Sequence, residues 1–256
     1  MGVLKAERVT HFFGGLCAVR DFNLDLEGGE LLGIIGPNGA GKTTIFNIVT
    51  GVYQASEGSI RLDGAEIIGH APDKIATMGI ARTFQNIRLF NDLTVLDNIR
   101  IAHYGRTQYS PIEGLFHIGR YHAEEQRVRE HSMELLGLFG MEAMAHEKAD
   151  SLPYGQQRRL EIVRGLATGP RILLLDEPAA GMNPREIDQL MEFIHWIRDR
   201  FGLTIILIEH QMRLVMNICE RLIVLDFGET IAQGAPKAIQ NDARVLEAYL
   251  GAKVAK

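Results

Sequence analysis

The sequence predicts an α/β fold built on a parallel β-sheet that helices cover. Two continuous apolar runs, Leu31–Ile35 and residues 172–175, have the length and composition of strands buried on both faces. The first run leads directly into a glycine-rich segment, and residues 43–50 continue as a helix. Strands and helices then alternate along the chain, and this order places parallel strands side by side beneath covering helices.

The remaining elements follow from apolar periodicity. Residues 22–26 alternate apolar and polar side chains, as in a half-buried strand. A helix is predicted to begin at Pro184 with Asn183 as its cap, because the apolar residues that follow recur at the helical period. Residues 105–119 contain Pro111 and three glycines and are predicted as a loop. The other predicted strands are 3–10, 58–62, 81–84, 203–208 and 221–225, and the other predicted helices are 122–138 and 156–167.

Composition limits the classes of function. The chain has 256 residues, of which 46% are hydrophobic and 23% charged, and its net charge is −5 at pH 7. A negative charge argues against nucleic acid as a partner, since nucleic-acid-binding domains are usually basic. The two cysteines, Cys17 and Cys219, do not form a disulfide framework, which is typical of a reducing cytoplasm. No apolar run approaches the roughly 20 residues that span a bilayer, so work at a membrane would require recruitment by a partner.

The glycine-rich segment satisfies the P-loop pattern G-x-x-x-x-G-K-[ST] between a strand and a helix. Backbone N–H groups in such a loop face phosphate oxygens, and the helix N-terminus adds its positive dipole end. Lys42 is expected to reach the β- and γ-phosphates of ATP, and Thr43 to offer its hydroxyl to Mg²⁺. The predicted phosphate-binding residues are Gly36, Pro37, Asn38, Gly39, Ala40, Gly41, Lys42, Thr43 and Thr44.

Two adjacent carboxylates, Asp176 and Glu177, end the second apolar strand. Placing them there is costly unless cation and water contacts compensate. A strand-end turn is the structural alternative for Asp-Glu-Pro, but beside a P-loop the pair predicts a Walker B site. Asp176 would then hold Mg²⁺, through water, and Glu177 would act as the general base that polarises the attacking water.

The segment Leu-Pro-Tyr-Gly-Gln at 152–156 decides the family. Together with Gln85, the carboxylate pair and His210, it makes the whole chain resemble the nucleotide-binding subunit of an ABC transporter. In that family a P-loop, Q-loop, signature, Walker B motif, D-loop and switch histidine follow one another, and all occur here in that order. The resemblance implies a P-loop NTPase of the ABC-ATPase fold, which is α/β with an antiparallel β-subdomain and a helical subdomain.

The resemblance also implies how the chain is divided. Residues 1–256 would form a single ABC nucleotide-binding domain. Within it, 1–98 and 151–235 would form the RecA-like core with the β-subdomain. Composition changes between about 99 and 150, and this stretch is expected to form the helical lobe. Residues 236–256 would form a C-terminal helical tail.

The family pattern assigns catalytic and metal roles to matching positions. Gln85 matches the Q-loop glutamine, which senses Mg²⁺ and faces the permease. His210 matches the switch histidine, which contacts the γ-phosphate. With Glu177, these two complete the expected catalytic set. The expected metal set is Thr43, Gln85 and Asp176.

Further positions match groups that hold the nucleotide. Phe13 matches the aromatic residue that stacks on adenine, with Val19 nearby. Leu152, Gly155 and Gln156 belong to the signature, which in this family closes on the ATP held by a second subunit.

Two segments depart from the family pattern. Pro153 and Tyr154 stand where the usual signature has serine and glycine, so the Gly155 amide and the helix dipole are left to act on the partner's γ-phosphate. The segment Ala-Gly-Met-Asn at 180–183 stands where the D-loop usually has Ser-Ala-Leu-Asp. The effect of both departures on signalling between subunits is open.

The departures and the tail Ala-Tyr-Leu-Gly at 248–251 resemble the ATP-binding subunits of branched-chain amino acid uptake systems, and within these the longer of two paralogous ATPases. This implies a paralogous or identical ATPase subunit as dimer partner, two integral-membrane permeases and, indirectly, an extracytoplasmic solute-binding protein. It implies a peripheral place on the cytoplasmic face of the inner membrane. The alternatives are the ATPase of a lipopolysaccharide-export or other amino acid or urea system and, from another class, a soluble ABC ATPase without a transport role.

Overall fold

The computed structural model describes residues 3–106 and 109–250 of the chain. The described residues form two compact units, unit 1 within Met1–Gln85 and Arg171–Lys256 and unit 2 within Asn86–Pro170. Gly251 and the rest of the predicted tail beyond it lie outside the described residues.

The elements in chain order are β1 Leu4–Phe13, β2 Leu16–Leu26, β3 Leu31–Ile35, α1 Lys42–Val49, β4 Glu57–Leu62, β5 Ala65–Glu66, α2 Pro72–Met78, β6 Ile80–Arg82, α3 Val95–His103, α4 Pro111–Phe116, α5 Tyr121–Leu138, α6 Tyr154–Ala167, β7 Ile172–Asp176, α7 Pro184–Phe201, β8 Thr204–Ile208, α8 Met212–Ile218, β9 Arg221–Asp226, β10 Glu229–Gly234, α9 Pro236–Gln240 and α10 Ala243–Leu250. In the part of the chain that the structure describes, short 3₁₀ helices occupy Tyr104–Arg106, Glu142–Met144 and Ala149–Ser151.

A six-stranded sheet forms the centre of unit 1, in the order β10-β9-β3-β8-β7-β6. Its strands are parallel except for β10, which pairs antiparallel with β9 at one edge. Every residue of β3, β7 and β8 is buried, which explains their uninterrupted apolar sequences. Because the carboxyl ends of parallel strands meet at one edge, the P-loop, Asp176, His210 and the segment that leads to Gln85 all emerge there.

A second sheet of unit 1 is antiparallel, in the order β2-β1-β4-β5. Its inward side chains join the large apolar cluster that also contains residues from β3 and α1, with Phe22 and Phe46 among its largest fully buried members. β1 pairs with β2 along its length and ends at the partners Phe13 and Leu16. This sheet therefore carries Phe13 at one of its ends.

Unit 2 is helical and contains α3 to α6 together with the 3₁₀ helices. The prediction of a loop over 105–119 is wrong in part, because α4 forms within it. The Ser110 hydroxyl oxygen accepts a hydrogen bond from the Glu113 amide, and the Glu113 carboxylate accepts one from the Ser110 amide. Pro111 occupies the first helical turn. This capping box supplies partners for N–H groups that would otherwise lack them.

The predicted fold class is confirmed, with an α/β core, an antiparallel sheet and a helical part. The long helix begins at Pro184, and Asn183 caps it through hydrogen bonds from the amides of Arg185 and Glu186. The domain boundaries at 98/99, 150/151 and 235/236 stay predictions. Over the described ranges, no helix is long and apolar enough to cross a membrane.

Candidate functional site

The P-loop is shaped by glycines that take up left-handed backbone. Gly39 has φ 81° and Gly41 has φ 99°, a region that side chains with a Cβ rarely adopt. A Cβ on Gly41 would lie 2.5 Å from the carbonyl oxygen of Ala18, whereas one on Gly39 would meet no atom within 4 Å. Gly41 therefore allows a close backbone approach, and the loop is open at Gly39.

The Lys42 side chain folds back onto the start of the P-loop. Its Nζ donates hydrogen bonds to the carbonyl oxygens of Gly36 and Pro37, both at 2.8 Å. The residue is 5% exposed. Burial lowers the pKa of Lys42, and the nearby carboxylates of Glu177 and Asp176 oppose this shift. A buried cation within a glycine-rich loop has the chemistry of a phosphate-binding site.

Asp176 ends β7 beside an arginine. It is 2% exposed, and burial raises the pKa of its carboxyl while Arg82 opposes the rise. Arg82 Nη2 donates to Asp176 Oδ2 at 2.7 Å. Arg82 lies three residues before Gln85 and was given no role from the sequence. A signal was present, because a carboxylate at the end of a buried strand needs a cation nearby.

Glu177 lies between two predicted catalytic side chains. Its Oε2 accepts a hydrogen bond from Gln85 Nε2 at 2.7 Å, and its Oε1 lies 2.9 Å from His210 Nε2. Glu177 has φ 47°, a left-handed conformation, and its amide donates to the carbonyl of Ile208 in β8. Such backbone is uncommon for a residue other than glycine and concentrates at functional sites.

A buried acid that the sequence analysis did not single out supports this arrangement. Glu209 is 2% exposed, and its Oε1 accepts a hydrogen bond from the Ala179 amide at 2.7 Å. Its Oε2 accepts hydrogen bonds from the amides of His210 and Gln211. Glu209 thus ties the segment after Glu177 to the segment that carries His210.

Phe13 belongs to a cluster of three rings. It contacts His11 edge-on at 4.6 Å and Tyr53 edge-on at 5.2 Å between ring centroids, and it is 44% exposed. Its partly open ring suits stacking on a planar base. Val19 is fully buried, and its Cγ2 would lie 3.4 Å from a Cβ on Gly41, so it packs behind the P-loop.

The signature residues belong to unit 2. Leu152 is buried, and Pro153 is the N-cap residue of α6. Tyr154 is 49% exposed and its hydroxyl accepts a 3.4 Å hydrogen bond from Arg158 Nη2. Gly155 and Gln156 follow in the first turn, and a Cβ on Gly155 would meet no atom within 4 Å. The first turn of a 14-residue helix presents N–H groups that favour anions.

These residues fit a nucleoside triphosphate with Mg²⁺. The open backbone at Gly39 and the buried Lys42 suit phosphate oxygens. Mg²⁺ commonly takes one or two carboxylates along with phosphate oxygens and waters, which suits Asp176. In a P-loop the hydroxyl of Thr43 is a further oxygen ligand. Among the described residues no group of three or more His, Cys, Asp or Glu could hold a metal ion.

Comparison with known families decides the assignment. A family model described as "ABC transporter" matches residues 19–180. The chain belongs to the ABC transporter family. As a member of this family it is an ATP-binding subunit and an ATPase. A second model, described as "Branched-chain amino acid ATP-binding cassette transporter", matches residues 229–255 of this ABC transporter chain.

Relatives with similar sequences cover nearly the whole chain. The high-affinity branched-chain amino acid transport ATP-binding protein BraF of Pseudomonas aeruginosa is 44% identical over 97% of this chain and 98% of its own length. LivG of Escherichia coli, which carries the same description, is 43% identical over 93% of this chain and 94% of its own. The lipopolysaccharide export system ATP-binding protein LptB of Haemophilus influenzae is 33% identical over 98% of each.

Solved structures agree with the ABC-ATPase fold. A nucleotide-free ATP-binding cassette from an ABC transporter superposes with TM-score 0.85 at 31% identity, covering 98% of this chain and 100% of its own. A dimeric ATP-binding cassette in a post-hydrolysis state, bound to ADP and Pi, gives TM-score 0.74 at 26% identity over 91% of this chain and 98% of its own. The predicted ABC-ATPase fold is therefore confirmed.

Proposed function

We propose that this chain is the ATP-hydrolysing motor subunit of an importer for branched-chain or related amino acids. One observation supports the motor role. The Glu177 carboxylate accepts a hydrogen bond from Gln85 and lies 2.9 Å from His210, at the same edge of the six-stranded sheet as the P-loop. The cargo is supported by BraF and LivG, whose names specify branched-chain amino acid transport, and by the match to the C-terminal family model.

The residues divide the chemical work. Bound ATP supplies the γ-phosphoryl group that water attacks. Lys42 and the loop amides orient the phosphates. Thr43, Asp176 and Gln85 would hold Mg²⁺, which when bound would offset the phosphate charge. Glu177 accepts the proton of the attacking water at a carboxylate oxygen. His210 keeps Glu177 oriented through Nε2 and, on the family pattern, contacts the γ-phosphate.

The remaining site residues contact the base and the partner's nucleotide. Phe13 stacks on adenine, and Val19 keeps the loop in place from behind. Leu152, Gly155 and Gln156 close on the nucleotide of a second subunit, and the first turn of α6 offers N–H groups for that contact. The N-cap residue of α6 is Pro153, whose side chain has no group that can donate a hydrogen bond to a phosphate.

The motor needs partners. The dimeric cassette with ADP and Pi supports pairing with an identical or paralogous ATPase subunit. Two integral-membrane permeases receive the motion near Gln85, which on the family pattern faces the permease, and an extracytoplasmic solute-binding protein delivers the cargo to them. The chain then lies peripherally on the cytoplasmic face of the inner membrane. Residues 1–256 act as one nucleotide-binding domain, with 99–150 as its helical lobe and 236–256 as its tail.

A pull-down tests the assignment. The tagged chain is isolated from detergent-solubilised membranes, and its partners are identified by mass spectrometry beside an untagged control. We expect two multi-spanning permeases and a shorter ATPase of the same family. Recovery of lipopolysaccharide-bridge proteins would reverse the direction of transport, and recovery of ribosomes or DNA would contradict a transport role.

A further inference from the structure

Arg82 joins three elements of unit 1. The residue ends β6, and its Nη2 donates to Asp176 Oδ2 on β7 at 2.7 Å. Its Nη1 donates to Asn47 Oδ1 on α1 at 2.6 Å, with a longer contact of 3.5 Å to Thr50 Oγ1. One guanidinium group therefore bridges the P-loop helix and the Walker B strand.

The bridge is buried and held in one orientation. The side chains of Arg82 and Asp176 are 6% and 3% exposed. The guanidinium carbon lies 5.4 Å from the ring centroid of Phe46 and 5.1 Å from that of Phe84. Arg82 Nε is buried, and no described residue accepts a hydrogen bond from it. Since a buried ion pair gains little net stability over apolar packing, stability alone does not account for this bridge, and the geometry that it fixes is the better explanation.

One anchor of Arg82 is a predicted Mg²⁺ ligand, and the other lies on the helix that carries a second predicted ligand. Asp176 is the first anchor. Asn47, the second, follows the predicted ligand Thr43 by four residues on α1, and residues four apart lie on the same helix face. Within the described residues Arg82 is the hydrogen-bond donor to the Asp176 carboxylate, and it uses only Oδ2. Oδ1 is thereby left for a cation.

We propose that Arg82 is a positioning residue that sets the separation between Thr43 and Asp176 and so preorganises the Mg²⁺ site. This inference rests on the proposed function. The planar fork of arginine reaches Asn47 and Asp176 at once, with one terminal nitrogen for each. A lysine ammonium is a single point charge on a flexible stem and cannot span both with defined geometry. Arg82→Lys therefore keeps the positive charge but loses the simultaneous hydrogen bonds to Asn47 and Asp176.

The test compares nucleotide binding with and without the metal. The dissociation constant of a fluorescent ATP analogue is measured for the full chain carrying Glu177→Gln, once with saturating Mg²⁺ and once with EDTA. The dissociation constant in EDTA divided by that in Mg²⁺ measures how much the cation strengthens binding. The constant in EDTA measures binding by the P-loop without the cation. A purely structural role would lower thermal stability and leave the ratio unchanged.

With Arg82→Lys added, we expect the ratio to fall by about 10–100-fold, the usual cost of losing a group that orients a metal ligand. The EDTA constant should stay the same. Asn47→Leu, which removes only the acceptor on α1, should lower the ratio in the same direction. Because both act through one bridge, the double variant should lose no more than Arg82→Lys alone. An unchanged ratio in Arg82→Lys would overturn the inference.

Matched variants separate the possible failures. Arg221→Lys breaks the two hydrogen bonds from Arg221 to Glu30, at 2.6 and 2.9 Å, at the start of β9 and away from the site. Its ratio should equal that of the parent, and an equal fall there would also overturn the inference. If Arg82→Lys does not fold, Asn47→Leu decides by the same criterion. A parent chain without any Mg²⁺ effect would contradict the proposed cation site itself.

Discussion

His210 Nε2 lies 2.9 Å from Glu177 Oε1 although the two residues are 33 positions apart in the chain. The parallel pairing of β7 with β8 brings them together, since Asp176 is in register with Ile208. Glu177 follows β7 directly, and His210 comes two residues after the end of β8. The amide of Glu177 also donates to the carbonyl of Ile208. The sheet therefore sets the position of the Glu177 backbone, and the contact with His210 orients its carboxylate.

Replacing Glu177 by glutamine should separate binding from hydrolysis. Glu177→Gln keeps the size of the side chain but cannot accept the proton from water. We expect ATP hydrolysis to fall by about 10²–10⁴-fold, with ATP binding retained because Lys42 and its loop are unchanged. Phosphate release and bound nucleotide are measured in parallel. Glu192→Gln, on the exposed face of α7, is the control, and near-wild-type hydrolysis in Glu177→Gln would refute the assigned base.

Phe13 should contribute to nucleotide affinity while its neighbour does not. Phe12 and Phe13 are each 44% exposed at the end of β1, and successive strand residues point to opposite faces. Loss of base stacking costs about 1–3 kcal/mol, so Phe13→Ala should weaken ATP binding by about 5–150-fold. Titration with a fluorescent ATP analogue measures the effect. Equal losses in Phe12→Ala and Phe13→Ala would show that Phe13 has no special role.

Two glycines of the P-loop allow backbone strain to be separated from steric overlap. Gly39→Ala places a Cβ at φ 81° in open space, whereas Gly41→Ala places one at φ 99° and 2.5 Å from the carbonyl oxygen of Ala18. We expect Gly39→Ala to cost about 1–2 kcal/mol of unfolding free energy. Gly41→Ala should cost more. Urea unfolding monitored by circular dichroism gives both values, and equal costs would contradict the overlap at Gly41.

A buried ion pair in α6 should matter far more than an exposed one in α5. Arg158 Nη1 donates to Glu161 Oε2 at 2.9 Å, and both side chains are 1% exposed. Glu161→Ala removes a buried carboxylate beside a buried guanidinium and should cost about 3–5 kcal/mol of unfolding free energy. Replacing both residues by leucine should restore much of it.

The matched control for this pair is Glu124→Ala. Arg127 Nη2 donates to Glu124 Oε2 at 3.0 Å, but the Arg127 side chain is 65% exposed. Glu124→Ala, which removes this ion pair, should cost no more than about 1 kcal/mol of unfolding free energy. Urea unfolding is again the measurement, and a similar cost for Glu161→Ala and Glu124→Ala would contradict the role of burial.

The sequence misled where local signals competed. The glycines and Pro111 between 105 and 119 predicted a loop, yet the helix α4 forms there. The signal for it was in the sequence, since Ser110 and Glu113 have the spacing of a capping box and Pro111 suits the first helical position. Glycine and proline counts alone do not distinguish a loop from a short helix that begins inside one.

Motif order and apolar runs were sufficient for the α/β class, the P-loop, the carboxylates of β7 and the family, because each depends on residues close in sequence or at family-defined positions. The family pattern named Gln85, Glu177 and His210 as the catalytic set, but the hydrogen bonds that join them come from the pairing of β6 and β8 with β7. The roles of Arg82 and Glu209 were decided by the tertiary structure alone. Each is a buried charge whose partners lie on other segments, and only the fold shows which groups compensate it.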